Sequence, residues 1–262
     1  MFDPLSGALA RVARAEEHLG TLNEAAEGWS KEKRASLSGD DEAIGTDYSF
    51  YVDFHPLPDV VRWALLIGDC VHNLRSALDN MIYECSGPMP PSGCEFPIFL
   101  HRKYFDYPET DRRGHLYKVR GITDDVLRTL IEGAQPWKNS ERAEHHPLWL
   151  LHQLDIQDKH HLLTPVAVVP RGTSLGIRIE YFEVGDHPTV EVSGPEWVPF
   201  EKHAEVTSLH VGERAKRVEM DLTFTFSIGL LIGDGSRPLL TTLRKAGKYT
   251  RELIEEMRDT LI

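Results

Sequence analysis

Leu162-Leu163-Thr164-Pro165-Val166-Ala167-Val168-Val169-Pro170 is where this 262-residue chain changes its periodicity. Before it, apolar residues recur three and four positions apart, as in helices that bury one face. After it, as far as Ile232, they alternate or run apolar between Gly and Pro turns, which predicts strands over 165–169, 174–182, 189–192, 205–209 and 217–232. Gly233–Pro238 then reads as a loop and Leu239–Leu261 as a further helix. Helices that bracket one contiguous β region predict an α+β fold, a helical bundle with an inserted antiparallel β-sheet region, rather than a wound βαβ sheet. The expected division is a bundle over 1–163 with an irregular, proline-rich connector over 88–120, a β region over 164–236, and a helix over 237–262 that returns to the bundle.

Upstream of the switch, Leu5, Leu9, Val12, Leu19 and Leu22 give a first helix from about Pro4 to Lys33. Gly39-Asp40-Asp41-Glu42 reads as a solvated loop, and Tyr48–Phe54 has the aromatic and β-branched content of a strand. Pro56 and Pro58 break it, and Asp59 is placed to cap a long helix that Gly87 and Pro88 stop. A short helix follows Thr123 as its cap and ends at Gln135-Pro136-Trp137. Another is expected from His146 to Leu163, entered through Pro147.

Composition sets wide bounds. Apolar and charged fractions of 41% and 27% are those of an ordinary globular chain. A net charge of −12 gives no global pull toward nucleic acid or anionic membranes, although local patches can still act. No secretory leader and no membrane span is read, and Cys70, Cys85 and Cys94 lack metal-type spacing, so a cytoplasmic protein with reduced thiols is expected. P-loop and dinucleotide-binding patterns are absent from the sequence, so no cofactor is expected.

Chemistry concentrates on the long helix. In Gly68-Asp69-Cys70-Val71-His72-Asn73-Leu74-Arg75-Ser76-Ala77-Leu78-Asp79, residues Gly68, His72, Arg75 and Asp79 share one stripe beside the apolar arc. The 146–163 helix carries His152, Asp155, Asp158, Lys159, His160 and His161, with both aspartates on its apolar arc. A carboxylate there needs a partner, so the two helices are expected to pack with Arg75 meeting Asp155 or Asp158. In a nucleotide-processing site, Arg75 would hold phosphate, His72 would move a proton, and Asp79 would orient His72, with Asp158 completing the set. The alternative is an ion-pair network that fixes helix register in a non-enzymatic interaction protein. A third reading takes Asp69-x-x-His72 and Asp158-x-x-His161 as halves of a di-metal site, completed by Glu16 or Glu17 and by Glu252, Glu255 or Glu256. The cluster of His145, His146, His152, His160 and His161 invites a zinc reading, but adjacent histidines point about 100° apart on a helix and no H-E-x-x-H occurs, so solvated helix ends are expected. Arg102, Lys103, Arg112 and Arg113, interleaved with Tyr104, Phe105, Tyr107 and Tyr117, form a local basic and aromatic stretch able to hold phosphates and stack bases, or else a loop pinned by its own aromatics.

His72–Asp79, Phe96-Pro97-Ile98-Phe99, Gln135-Pro136 and Asp158-Lys159-His160 occur in that order. Together they resemble a group of bacterial and phage-associated proteins, of no established activity, with an HNLRSALD … FPIF … QP … DKH pattern over residues 60–163. Members carry histidine after the Asp79 position, giving an Arg-x4-His pattern similar to the ribonuclease motif of HEPN-type helical domains. This chain has Asn80 there.

Overall fold

The computed structural model describes residues 4–32, 34–39, 46–139, 142–168, 175–181, 189–212, 215–222, 227–233 and 235–261. The solvated loop expected at residues 40–42 lies outside them, as do residues 223–226 and 234 and the outer ends of the 165–169 and 174–182 strands. The fold is α+β, with helices and antiparallel sheets, and the chain divides into two units.

The helical unit comprises residues 1–24, 61–163 and 240–262. Its long elements are the first part of α1 (Ser6–Glu32), α2 (Val60–Cys85), α7 (Pro147–Asp158) and α8 (Leu239–Leu261). Each has the predicted periodicity. Leu5, Ala8, Val12, Leu19 and Leu22 are buried from the α1 segment, and Trp63, Ile67, Val71, Leu74, Leu78, Met81 and Ile82 from α2. Leu243, Ala246, Ile254 and Met257 are buried from α8. Each large aliphatic side chain taken from water contributes about 1.5–3 kcal/mol, so this core is the main source of stability. At the rim Arg251 pairs with Glu16 at 2.7 Å, and Glu84 accepts the Leu5 N–H at 2.9 Å. No helix among the described residues is long and apolar enough to cross a membrane.

The 88–120 connector contains two single-turn helices, α3 (Arg102–Phe105) and α4 (His115–Lys118). Next come α5 (Asp125–Gly133) and α6 (Pro136–Asn139). The cap of α5 is Asp124, not Thr123; its carboxylate accepts from the N–H groups of Val126 and Leu127, supplying the acceptor those groups lack within the helix. Helix α7 starts as expected, with Pro147 in its first turn and His146 as cap. It stops at Asp158 and not at Leu163, its last turn tightened by a three-residue bond from the His160 N–H to the Gln157 carbonyl.

The second unit comprises residues 25–60 and 164–239. Residues 25–60 therefore leave the helical part to which the sequence assigned them. The reason is pairing: β2 (Asp47–His55) lies antiparallel between β1 (Arg34–Gly39) and β7 (Ala204–Val211), with β5 (Val190–Ser193) on the far side of β7. A second sheet runs β10 (Gly235–Pro238), β9 (Ser227–Ile232), β3 (Pro165–Val168), β6 (Trp197–Pro199). The expected Gly233–Pro238 loop is thus largely strand, because a positive φ of 61° at Gly233 turns the chain back onto β9. Strands β4 (Leu175–Tyr181) and β8 (Ala215–Leu222) form a separate pair, so the long strand expected over 217–232 supplies two elements to two sheets. Phe200 packs edge to face on both Trp29 and Phe54 inside this unit, with the Trp29 ring 5.2 Å from its own.

Candidate functional site between the packed helices

The α2 stripe divides into a buried half and an exposed half. Arg75 is only 8% exposed, yet its charge is met within its own helix: Nη2 lies 2.8 Å from Asp79 Oδ1, one turn on. The same guanidinium nitrogen donates to the Phe96 carbonyl at 2.8 Å, and Asp79 Oδ1 accepts the Phe96 N–H at 2.9 Å. Arg75 and Asp79 together therefore take up both backbone groups of one residue in the extended Phe96-Pro97-Ile98-Phe99 segment. Gln135 takes up the next groups. Its Nε2 donates to the carbonyls of Pro97 and Ile131 at 2.8 and 3.0 Å, and its Oε1 accepts the Phe99 N–H at 3.0 Å. This segment is in no sheet, and Phe96, Pro97 and Ile98 are buried, so side chains must satisfy its backbone. Three stretches far apart in the sequence thus form one polar clasp.

Helices α2 and α7 do pack, through Gly68. A Cβ there would lie 2.6 Å from Asp158 Oδ1, so the missing side chain makes room for that carboxylate. Gly68→Leu is expected to cost about 2 kcal/mol in urea denaturation by overfilling this contact. The expected bond from Arg75 to Asp155 or Asp158 is absent among the described residues. Asp155, 5% exposed, instead pairs with Lys159 at 2.7 Å. The helical rise accounts for this: a partner one turn away on the same helix is in reach without any adjustment between helices.

His72 is exposed, its Nε2 3.4 Å from Ser76 Oγ, and Asp79 is committed to Arg75 and Phe96. The two residues are separated by nearly two helical turns, about 10 Å, so Asp79 does not orient His72. Asp158 faces Gly68 and feels the charges of His72, Asp155 and Asp69. Burial, then Asp155, raises its pKa. Among the described residues no three His, Cys, Asp or Glu side chains converge as a metal ion would require, and His161 lies beyond the end of α7. The di-metal set is therefore not assembled in this geometry.

The histidine that does reach the buried charges is His152. It lies half-buried on α7, with the Arg75, Lys118 and Lys159 cations and the Asp155 carboxylate acting on it. Because Gly68 meets Asp158 while Arg75, further along α2, acts on the earlier His152, the helices run antiparallel. Among the described residues neither His152 Nδ1 nor Arg75 Nη1, both buried, has a hydrogen-bond partner. A wheel could have found His152, since it shares the inward arc with Leu148 and Asp155.

Burial, followed by the Arg75 charge, lowers the His152 pKa to about 4. Asp79 moves the other way, because burial outweighs the attraction of Arg75. For Glu95 burial acts upward, but its 2.7 Å contact with Lys118 prevails and the pKa falls. The unfolded chain binds a proton at His152 below about pH 6.5, whereas the folded chain does so only below about 4. This contribution is complete above pH 6.5 and is lost as pH falls toward 4, an effect on the order of 2 kcal/mol after allowing for solvent screening. Subtracting the pH–stability curve of His152→Phe from that of the wild type isolates it; a flat difference would refute the assignment.

The basic stretch is heavily engaged with itself. Arg102 pairs with Asp106 and lies over the Trp137 ring, and Arg113 chelates Asp111 and lies over Tyr107. Lys103 and Arg112 lie over Tyr104 and Tyr117. Phe105 stacks on His115 with ring centroids 3.4 Å apart. These contacts are those of a loop pinned by its own aromatics. Cys70 and Cys85 are free thiols pushed by burial to about 12, a poor state for nucleophiles.

The chain matches no protein-family model, no curated protein and no solved structure.

Proposed function

We propose that this protein acts by binding rather than by catalysis, with the Arg75–Asp79 pair as a structural element of its helical unit. The observation that carries this reading is the double use of Asp79 Oδ1, which accepts from both Arg75 Nη2 and the Phe96 N–H. A carboxylate held this way has little freedom to serve as a general base or to orient one. Among the described residues the exposed His72 has no carboxylate hydrogen bond, the orienting contact expected of an acid–base histidine.

A second reading takes a nucleotide or nucleic-acid phosphate as the ligand. Its specific support is the exposure of Arg102, Lys103, Arg112 and Arg113 together on the connector. The two readings separate in one series. His72→Ala should fold with wild-type stability, and wild type and variant alike should leave nucleotides and short RNAs uncleaved. Turnover by the wild type that His72→Ala abolishes would overturn the binding reading. Retained binding of a labelled RNA without turnover would identify nucleic acid as the ligand.

A further inference from the structure

A cavity of about 470 Å³ opens between α5 and α8, inside the helical unit and lined by none of the clasp's side chains. Its lining includes Leu130, Ala134 and Leu253, with Tyr249 as an aromatic wall and Glu252 and Glu256 one turn apart on α8. The volume is within the range of small-molecule sites.

The sign of the field in this cavity follows from three sources. The first is Glu256, which has no ion-pair partner among the described residues, whereas Glu252 has only a loose contact with Lys248 at 3.6 Å. Both carboxylates bear on the Tyr249 hydroxyl and, after burial, hold its proton on. The second is α5, which ends at Gly133 in the cavity lining; the carbonyl end of a helix is its negative end. The third is the Tyr249 ring, whose face attracts cations. The ring is held in place on two sides: its hydroxyl donates to the Ala134 carbonyl at 3.3 Å, and His146 packs edge to face against it at 4.8 Å. Lys138, also in the lining, has its charge matched by Glu132 at 3.1 Å.

An apolar floor beneath a negative rim and an aromatic wall suits a ligand that is cationic at one end and aliphatic at the other. We propose that this cavity binds a small primary alkylamine as its ammonium ion, with the charge between Glu252 and Glu256 and the chain against Leu130, Ala134 and Leu253. Each group has a distinct role. The carboxylates select charge, Tyr249 adds a cation–π contact, and the floor takes apolar surface from water.

The test uses the whole protein, with n-pentylamine as probe and 1-pentanol and pentanoate as neutral and anionic controls of similar length, read by titration calorimetry and by Tyr249 chemical shifts. Pentylamine is expected to bind with a Kd of about 1 mM or below, and pentanol at least about tenfold more weakly. Glu256→Gln should weaken pentylamine about tenfold at unchanged Tm, while Tyr249→Phe, which keeps the ring, should retain most of the affinity. Equal binding of pentanol, preferential binding of pentanoate, or no saturable pentylamine binding would each overturn the proposal. Because no residue of the Arg75 clasp is involved, its failure would leave the reading of that site untouched.

Discussion

Asp79→Ala is expected to destabilise the protein by about 3 kcal/mol in urea denaturation at pH 7, although roughly a third of this side chain is exposed. The loss has two parts. The Phe96 N–H loses its acceptor in a part-buried place, and Arg75 keeps a buried charge whose closest counter-ion has gone. Removing one member of a buried charged pair costs more than the pair contributes, because the survivor remains desolvated. Asp79→Asn should recover part of the loss, since its amide oxygen can still accept from Phe96. Asp69→Ala, an exposed carboxylate on the same helix, serves as control and should cost under about 1 kcal/mol. Equal effects at positions 69 and 79 would refute the clasp.

Gln135→Glu is the second large effect, expected to cost about 4 kcal/mol even though the two side chains have nearly the same shape. Gln135 is fully buried, and its amide presents N–H groups to the Pro97 and Ile131 carbonyls and an oxygen to the Phe99 N–H. A carboxylate in its place sets negative oxygen against two carbonyl oxygens in a dry site and must take up a proton to remain. The cost should therefore shrink as pH falls, so its pH dependence separates this mechanism from simple loss of packing. Gln135→Leu removes the same hydrogen bonds without adding charge and should lie about 1–2 kcal/mol closer to wild type. A Glu variant as stable as the Leu variant at pH 7 would refute the assigned bonding.

Much of the fold could be read locally. The spacing of Ile67, Val71, Leu74, Leu78 and Met81 is enough to define the buried face of α2, because helical periodicity depends only on near neighbours. The change of period at Thr164 likewise located the start of the main strand region and with it the α+β class. The pairing of Tyr48–Phe54 with β7, some 150 residues later, was not legible, because a strand's sequence carries its pattern of faces and not the identity of its neighbour. The end of α7 was also missed, since the residue types from His160 to Leu163 continue a helical pattern past the point where the last turn tightens at His160.

The candidate site shows the same division. The sequence selected His72, Arg75 and Asp79 as one polar stripe facing a second helix that carries Asp158, and it singled out FPIF and QP as stretches that accompany it. What those stretches do was decided by the tertiary structure. Arg75 and Asp79 close on Phe96 and Gln135 closes on Pro97 and Phe99, because a buried segment outside any sheet leaves backbone groups that only nearby side chains can satisfy. His72 stays in solvent, and His152 takes the place beside Arg75. Residue type and spacing determined by themselves which helix faces are apolar and where charge interrupts them. Which charge meets which partner depended on how α2, α7 and the 96–99 segment come together, and hydrogen bonding over 3 Å is set by that approach and not by position along the chain.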